Sequence, residues 1–184
     1  MTPPLETARL LLRPLTLEDA PQVQALFPHW EVVQFLGAQI PWPYPDGGVL
    51  DYYSNVALPA IARGDEWHWS LRLRSNPGQI VGAITLRRGD NNRGFWLGVR
   101  WQGQGLMTEA AEIITDFWFN TLGFPVLRVP KAIANVTSRR ISEKQGMRVV
   151  ATLERDFVCG CLPAEVWEIT AEEWGRRSSP QPSV

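Results

Sequence analysis

The chain has 184 residues, of which 45% are hydrophobic and 20% charged, a composition typical of one soluble globular domain with its own core. It excludes disordered, collagen-like and fibrous proteins. Eighteen basic residues against nineteen acidic ones give a formal net charge of -1, so no general basic field attracts nucleic acid or an anionic membrane. Any polyanion must therefore be bound by a local group of donors.

The cysteine content and the N-terminal residues of the chain indicate the cellular compartment in which we expect the protein. Cys159 and Cys161 lie one residue apart, so we expect no disulfide framework and a reducing environment. That spacing is also too short for a usual zinc site, and no metal centre is expected. Prolines and Glu6 stand where a secretory signal has basic residues, and no apolar run is long enough to span a membrane. We expect a cytoplasmic protein without a membrane partner.

The first third of the chain predicts one strand followed by a helical insert. Three leucines at 10–12 form the strand, and Thr16 with Asp19 resembles a capping box that opens a helix. Residues 28–63 are dense in aromatics and prolines, which predicts short helices and a shaped loop. They include an aromatic cluster that consists of Trp42, Tyr44, Tyr52 and Tyr53. This cluster forms either the core of the insert or a wall of an acceptor site.

Residues 67–99 predict an antiparallel meander. Apolar residues alternate with polar ones from Trp67 to Leu73, a period of two that is typical of a half-buried strand. Turns at 75–78 and 89–92 lead into strands over 80–86 and 94–99.

The second half of the chain alternates helices and strands. Apolar spacing from Met107 onward predicts a helix that Gly123 ends, and a second helix over 137–145 ends at Gly146. Strands are predicted over 126–134, 147–153 and 165–169. The fold class is therefore α/β (α+β): a single domain over 1–175 with a mixed, largely antiparallel central sheet of about seven strands flanked by helices. We expect a flexible C-terminal tail over 176–184.

A glycine-rich turn joins the meander to the first of these helices. Gly103 and Gly105 let successive N–H groups and the helix start point at one spot, which favours phosphate. A tight turn without a ligand is the alternative. A dinucleotide fingerprint is disfavoured, because the third glycine is missing and the turn follows an antiparallel meander. The sequence also lacks the motifs of phosphate-loop enzymes, serine hydrolases and zinc hydrolases.

Three ordered motifs resemble the GNAT superfamily of N-acetyltransferases. They are the run 94–97, the run 102–110, and a segment from Asn135 to Met147 that contains Ser138. The branch that acetylates the N-termini of ribosomal proteins is the most similar, since 7–14 and 165–169 also fit it, and the match covers 7–175. The resemblance implies an acyl-CoA N-acyltransferase fold with acetyl-CoA as cosubstrate.

The resemblance also implies roles for particular residues. Backbone amides of the glycine turn would hold the pyrophosphate of acetyl-CoA, and the backbone near Leu97 and Val99 would hold the acetyl carbonyl. Asn135 would bind the pantetheine arm, and Ser138 would lie near the sulfur as a candidate proton donor. Helix capping is the alternative for both. The implied cofactor-binding residues are Leu97, Val99, Gln102, Gly103, Gln104, Gly105, Leu106, Met107, Thr108, Asn135 and Ser138.

Two departures from the family pattern affect the chemistry. Met107 stands where glycine or alanine is common and is expected to add bulk near the phosphates. Ser142 stands where many members carry a tyrosine acid, so that role is vacant or passes to Ser138. Asp156, together with Glu154, is the candidate acceptor of the amine proton, directly or through water. Solvated surface positions are the alternative for both carboxylates.

We therefore expect an acetyl-CoA dependent N-acetyltransferase in which an amine attacks the thioester directly in a ternary complex. An α-amine is about one fifth neutral at pH 7.4, whereas a lysine amine is about one thousandth neutral, so an N-terminal acceptor needs little base catalysis. The expected acceptor is a protein or peptide N-terminus. A small amine (aminoglycoside or polyamine) or a noncatalytic acyl-CoA binding module is the alternative. We expect no nucleic-acid partner, and a monomer and a homodimer both stay open.

Overall fold

Two antiparallel sheets carry the fold in the computed structural model, which describes residues 2–178. The first has five strands in the order β1 to β5, and the second has three in the order β6, β8, β7. The first sheet consists of β1 (Leu5–Glu6), β2 (Leu10–Pro14), β3 (Glu66–Leu73), β4 (Asn76–Arg87) and β5 (Arg93–Leu97). The second consists of β6 (Val126–Ala132), β7 (Arg148–Phe157) and β8 (Gly160–Thr170).

Helices cover these sheets and confirm the predicted α/β class. Four short ones form the insert between β2 and β3: α1 (Ala20–Leu26), α2 (Trp30–Val33), α3 (Gly48–Tyr52) and α4 (Leu58–Arg63), with a π-helical turn, Tyr53–Ala57, between the last two. Three more follow the meander: α5 (Leu106–Asp116), α6 (Val136–Lys144) and α7 (Ala171–Ser178). Among the helices in the described residues, none has the length and apolar character needed to span a bilayer.

The core lies on both faces of β3. Trp67, Trp69 and Leu71 face α5 in the main core, where Trp69 and Leu71 are fully buried. His68 and Ser70 point to the other face and are buried as well. The expectation of a half-buried strand is therefore wrong, because the insert covers the face that the alternation assigned to solvent.

The two sheets meet at one end and separate at the other. Asn92 N donates to Arg128 O at 2.8 Å, and Arg128 N donates to Asn92 Oδ1 at 2.6 Å. Within residues 2–178, the backbones of β5 and β6 share no hydrogen bond beyond this junction. Lys131 Nζ lies 5.1 Å from the Phe95 ring centroid, so both strands leave the junction in the same direction. We call the opening between β5 and β6 the cleft.

The C-terminal elements are longer than their sequence pattern indicates. The strands predicted over 147–153 and 165–169 extend into a β7–β8 hairpin whose register runs to Phe157 opposite Gly160. Helix α7 was not predicted, and it takes in 176–178 of the expected tail. Residues 179–184 of that tail lie outside the described residues.

Candidate functional site

The turn between β5 and α5 needs glycine for its backbone conformation. Gly103 has φ +74° and Gly105 has φ +77°, in the left-handed region that strains other residues. A Cβ at Gly103 would meet nothing within 4 Å, and one at Gly105 would meet only Arg9 Nη2 at 3.5 Å. Crowding inside the protein therefore does not explain these glycines, and the space in front of the turn is open.

Six consecutive amides, from Gly103 to Thr108, donate no hydrogen bond within the described part of the chain. The first helical bond of α5 runs from Glu109 N to Gly105 O at 3.1 Å. Unpaired N–H groups at the start of an 11-residue helix, together with the positive end of its dipole, form a site for an anion. Of the amides predicted to hold the pyrophosphate, those from Gly103 onward are thus unpaired and grouped. The prediction is wrong for the Gln102 amide, which donates to Val99 O at 3.2 Å.

Arg9 and Glu109 connect this turn to the start of β2. The Arg9 guanidinium donates through Nε to Glu109 Oε2 at 2.7 Å and through Nη1 to Gln104 O at 3.0 Å. Burial raises the pKa of Glu109, but hydrogen bonds from Thr7 and Arg9 outweigh it and hold that pKa below its usual range. Because 100 residues separate the pair, no local sequence pattern indicates it.

Side chains of the turn also stabilise its backbone. Gln102 Nε2 donates to Leu97 O at 3.0 Å, and Gln104 Nε2 donates to Arg100 O at 2.9 Å. Met107 is only 5% exposed and packs in the main core, so its side chain adds no bulk in front of the turn.

The start of α6 lies beside the cleft and contains Asn135 and Ser138. Asn135 Oδ1 accepts a hydrogen bond from Ser138 N at 3.2 Å, so this asparagine caps the helix. Ser138 is bound by Lys131, whose Nζ donates to Ser138 Oγ at 2.8 Å and to Ser138 O at 2.6 Å. Ser142 is fully buried, and its hydroxyl has no partner among residues 2–178.

Two buried cations lie on the helix-covered side of the cleft. Arg93 donates through Nη1 to Thr115 Oγ1 at 2.6 Å and to Gln145 Oε1 at 2.7 Å. Neither Arg93 nor Lys131 forms an ion pair with a carboxylate in the described structure. Burial lowers the pKa of Arg93 to about 10, and burial and the neighbouring Arg93 charge lower the pKa of Lys131. Arg93 therefore stays charged at neutral pH, and its positive field favours negative charge in the cleft.

The predicted proton acceptors lie on the β7–β8 hairpin. Glu154 is paired in register with Pro163 and Asp156 with Cys161, and both carboxylates are exposed. Cys161 Sγ donates to Glu154 Oε2 at 3.8 Å. Neither carboxylate, nor Ser138, lines the large cavity of the fold.

That cavity has a volume of about 510 Å³ and lies between the insert and the face of the first sheet opposite α5. We call it the insert cavity. Tyr44, Tyr52 and Tyr53 line it, whereas Trp42 is exposed and packs against Trp30. Three of the four clustered aromatics therefore form its wall. It also reaches β5, whose Phe95 lies beside Lys131 in the cleft.

A buried histidine stands at the floor of the insert cavity and contacts a partly exposed carboxylate behind it. His68 Nε2 lies 2.5 Å from Glu66 Oε2, and His68 Nδ1 lies 3.2 Å from Thr85 Oγ1. The hydrogen bond with His68 holds the pKa of Glu66 below its usual range. The sequence pattern placed these side chains on a solvent-facing strand, so only knowledge of the insert's position reveals them.

Comparison with known proteins bears on this arrangement. A family model described as "Acetyltransferase (GNAT) domain" matches residues 9–148, which include the glycine turn, the cleft and the start of α6. The chain belongs to the GNAT acetyltransferase family. As a member of this family it is an N-acetyltransferase, and acetyl-CoA is the cosubstrate of the family. The unpaired amides and the open cleft fit such a molecule.

Solved structures share the GNAT fold across nearly the whole chain. RimL, a ribosomal L7/L12 alpha-N-protein acetyltransferase solved with coenzyme A, is 13% identical with a TM-score of 0.77, over 93% of this chain and 99% of that one. A ribosomal-protein-S5-alanine acetyltransferase from Vibrio fischeri is 12% identical with a TM-score of 0.76, over 94% and 98%. The spermidine N-acetyltransferase SpeG from Vibrio cholerae is 14% identical with a TM-score of 0.73, over 94% and 100%. A comparison with curated proteins finds no match.

Proposed function

We propose that this GNAT acetyltransferase acetylates the N-terminal α-amine of a protein or peptide by direct attack within a ternary complex. One observation carries the proposal: the same strand, β5, contributes to the wall of the insert cavity, borders the cleft and leads into the unpaired amides of the glycine turn. A cosubstrate and an acceptor can then approach a shared point from two sides. No covalent relay through a side chain is needed.

The cofactor side of the site consists of backbone donors. Amides from Gly103 to Thr108 hold the diphosphate, the backbone near Leu97 and Val99 polarises the acetyl carbonyl, and Asn135 binds the pantetheine arm. Acetyl-CoA supplies the acetyl group as a thioester. Fixed amides aimed at an oxygen that gains negative charge are an effective form of electrostatic catalysis, because they need no reorganisation during the reaction.

Ser138 is the proposed proton donor to the departing sulfur. Lys131 donates to the Ser138 hydroxyl at 2.8 Å, which leaves the hydroxyl hydrogen free to point elsewhere. The charge of Arg93 also stabilises the negative charge that develops on the sulfur before the proton arrives.

The acceptor side needs only weak base assistance. Because an α-amine is already about one fifth neutral at pH 7.4, a distant or water-linked carboxylate suffices to remove its proton. Asp156 with Glu154 is the proposed acceptor of the amine proton. Both are exposed and lie outside the insert cavity, so a water molecule would carry the proton to them.

Release of free coenzyme A tests this function. The panel contains a lysine-free peptide with a free N-terminus, the same peptide with a blocked N-terminus and one lysine, spermidine, and an aminoglycoside. We expect release with the first peptide only, with the acetyl group on its α-nitrogen by mass spectrometry. Release of coenzyme A only with spermidine or only with the aminoglycoside would show that the acceptor is a small amine and not an N-terminus. Thermal stabilisation by acetyl-CoA without release across the panel would support the noncatalytic module.

A further inference from the structure

We infer that the insert cavity selects an acceptor whose α-amine belongs to a large apolar residue, such as an N-terminal leucine or phenylalanine, and excludes polyamines and aminoglycosides. This inference rests on the proposed function and adds the chemistry of the first residue. It follows from three properties of the cavity: its size, its charge and its unpaired hydroxyl groups.

Size and wall chemistry favour an apolar group. At about 510 Å³, the cavity falls within the range of about 300–1,000 Å³ that encloses small ligands. Phe27 packs edge-on against Tyr44 at 5.0 Å and against Trp96 at 5.3 Å between ring centroids. Leu15 and Val49 are buried beside them. These rings and branched side chains hold one another in place, so the wall is preformed for a large apolar side chain.

The charges of the lining disfavour polycations. Within the described residues, the lining carries one carboxylate, Asp51, and one guanidinium, Arg87, and Asp51 is exposed at the rim. The Glu66 carboxylate behind the floor is already bound by His68. A polyamine or aminoglycoside would bring several ammonium groups into a space that offers them one carboxylate. The desolvation of the remaining charges would be uncompensated.

The tyrosine hydroxyls supply the polar contacts that a single amine needs. Tyr44, Tyr52 and Tyr53 form no hydrogen bond through their hydroxyls with any described residue, although Tyr53 is only 5% exposed. These three residues line the cavity, so their hydroxyls are available to hydrogen-bond with a ligand bound there. Burial raises the pKa of all three tyrosines, so they stay neutral and able to donate or accept at neutral pH. One amine and the first peptide carbonyl match this set.

A matched peptide series tests the inference. Peptides that differ only in their first residue (leucine, phenylalanine, serine or glycine) are compared with spermidine, both in coenzyme A release and, without acetyl-CoA, in binding by calorimetry. We expect kcat/KM and affinity about tenfold or more higher for leucine and phenylalanine than for glycine. Spermidine should show neither binding nor turnover.

Two variants at exposed apolar residues connect the preference to the cavity. Val56 lines it and Leu50 does not, although each is 49% exposed. Val56→Asp should reduce the preference for leucine over glycine several-fold, whereas Leu50→Asp should leave the ratio unchanged.

The outcomes separate the two claims. If the leucine and glycine peptides have equal affinity and equal kcat/KM, the apolar selection is overturned while the acetyltransferase assignment stands. Preferential binding of the leucine peptide without coenzyme A release supports the selection and overturns the proposed function. A preference for spermidine, or one that Val56→Asp leaves intact, also overturns the selection.

Discussion

Gly105 shows how a glycine that the backbone conformation requires also leaves the space in front of a turn open. Its φ of +77° strains any side chain, yet a Cβ there would touch only the end of the Arg9 side chain. The unpaired amides that follow it need the open space that a side chain would take. A phosphate group at this position fits both facts.

We therefore predict that Gly105→Val weakens acetyl-CoA binding by about tenfold or more, because the branched side chain lies over the amides and distorts the start of α5. Calorimetric titration with acetyl-CoA measures the change.

Gly123→Val is the matched control, since Gly123 also has positive φ (+71°) and an unobstructed Cβ direction but lies beyond the C-terminal end of α5, away from the unpaired amides. Both variants should lose about 1–2 kcal/mol in the free energy of unfolding from backbone strain. Equal affinity of the two variants for acetyl-CoA would remove the phosphate assignment.

At this scale the sequence predicted glycines and caps but not long-range partners. Asn135 caps α6 as its residue type and position indicate. The bonds of Lys131 to Ser138 and of Arg93 to Gln145 depend on how β5, β6 and α6 pack together. A lysine inside a strand carries no local signal that its amine is buried.

Helix α7 shows how a short element is held by its first turn. Glu173 Oε2 accepts hydrogen bonds from Thr170 N at 2.8 Å and from Thr170 Oγ1 at 2.9 Å, while Glu173 N donates back to Thr170 Oγ1 at 3.2 Å. These bonds, together with Arg148, lower the pKa of Glu173 to about 2. This reciprocal pair is a capping box.

The lowered pKa gives the cap a defined pH dependence. A carboxyl group whose pKa is lower in the folded state stabilises fully above its unfolded pKa of about 4.3 and loses that contribution as the pH falls toward 2. We predict that Glu173→Gln reduces the free energy of unfolding by about 0.5–1 kcal/mol at pH 7, and by less at pH 3. Urea unfolding at the two pH values measures the difference.

Glu172→Gln serves as the control, because Glu172 is largely exposed and pairs with Arg176 in the next turn, its one ionic partner among residues 2–178. Its effect should be smaller at pH 7 than that of Glu173→Gln. A pH-independent loss in Glu173→Gln would contradict the ionised cap.

Elements with a strong hydrophobic periodicity, and helices that end at a glycine, could be predicted from the sequence. Elements that depend on tertiary contacts could not. Helix α5 and the meander β3–β5 lie where the sequence pattern indicates. Helix α7 has one buried aromatic, Trp174, whose ring lies 6.1 Å from that of Phe119. One such residue produces no readable period. The part of the β7–β8 hairpin beyond the predicted strands, which is mostly exposed, has none either.

For the whole molecule, Asn92 joins the two sheets at the closed end of the cleft. Its Oδ1 accepts from Arg128 N at 2.6 Å, and its Nδ2 donates to Gly89 O at 2.7 Å and to Arg87 O at 3.2 Å. The side chain is 5% exposed, so these bonds have little competition from water. The junction therefore determines where β5 and β6 separate.

We predict that Asn92→Ala lowers the free energy of unfolding by about 1–3 kcal/mol, because it leaves buried backbone groups without their partners. Asn91→Ala is the control, since the Asn91 side chain makes no hydrogen bond within the described residues. Denaturant unfolding of both variants gives the comparison. A loss for Asn92→Ala no larger than for Asn91→Ala would show that the junction contributes no measurable stability.

Apart from β1 and α7, the order of elements along the chain could be predicted, but the division into two sheets could not. The bond from Arg128 N to the Asn92 side chain spans 36 residues, and nothing in either strand indicates that their pairing stops there. The glycine turn was visible in the sequence because its chemistry is local. The insert cavity was not, because it exists only where the insert covers β3 and β4.

Within the described residues, the edges of β5 and β6 that face the cleft have backbone groups without a strand partner, and an extended molecule can pair with them. An extended arm with amide groups would bridge the two edges, so the rigidity of the whole protein becomes linked to cosubstrate supply. Resistance to proteolysis should rise and fall with the concentration of acetyl-CoA. At low concentration the two sheets should separate first along the cleft.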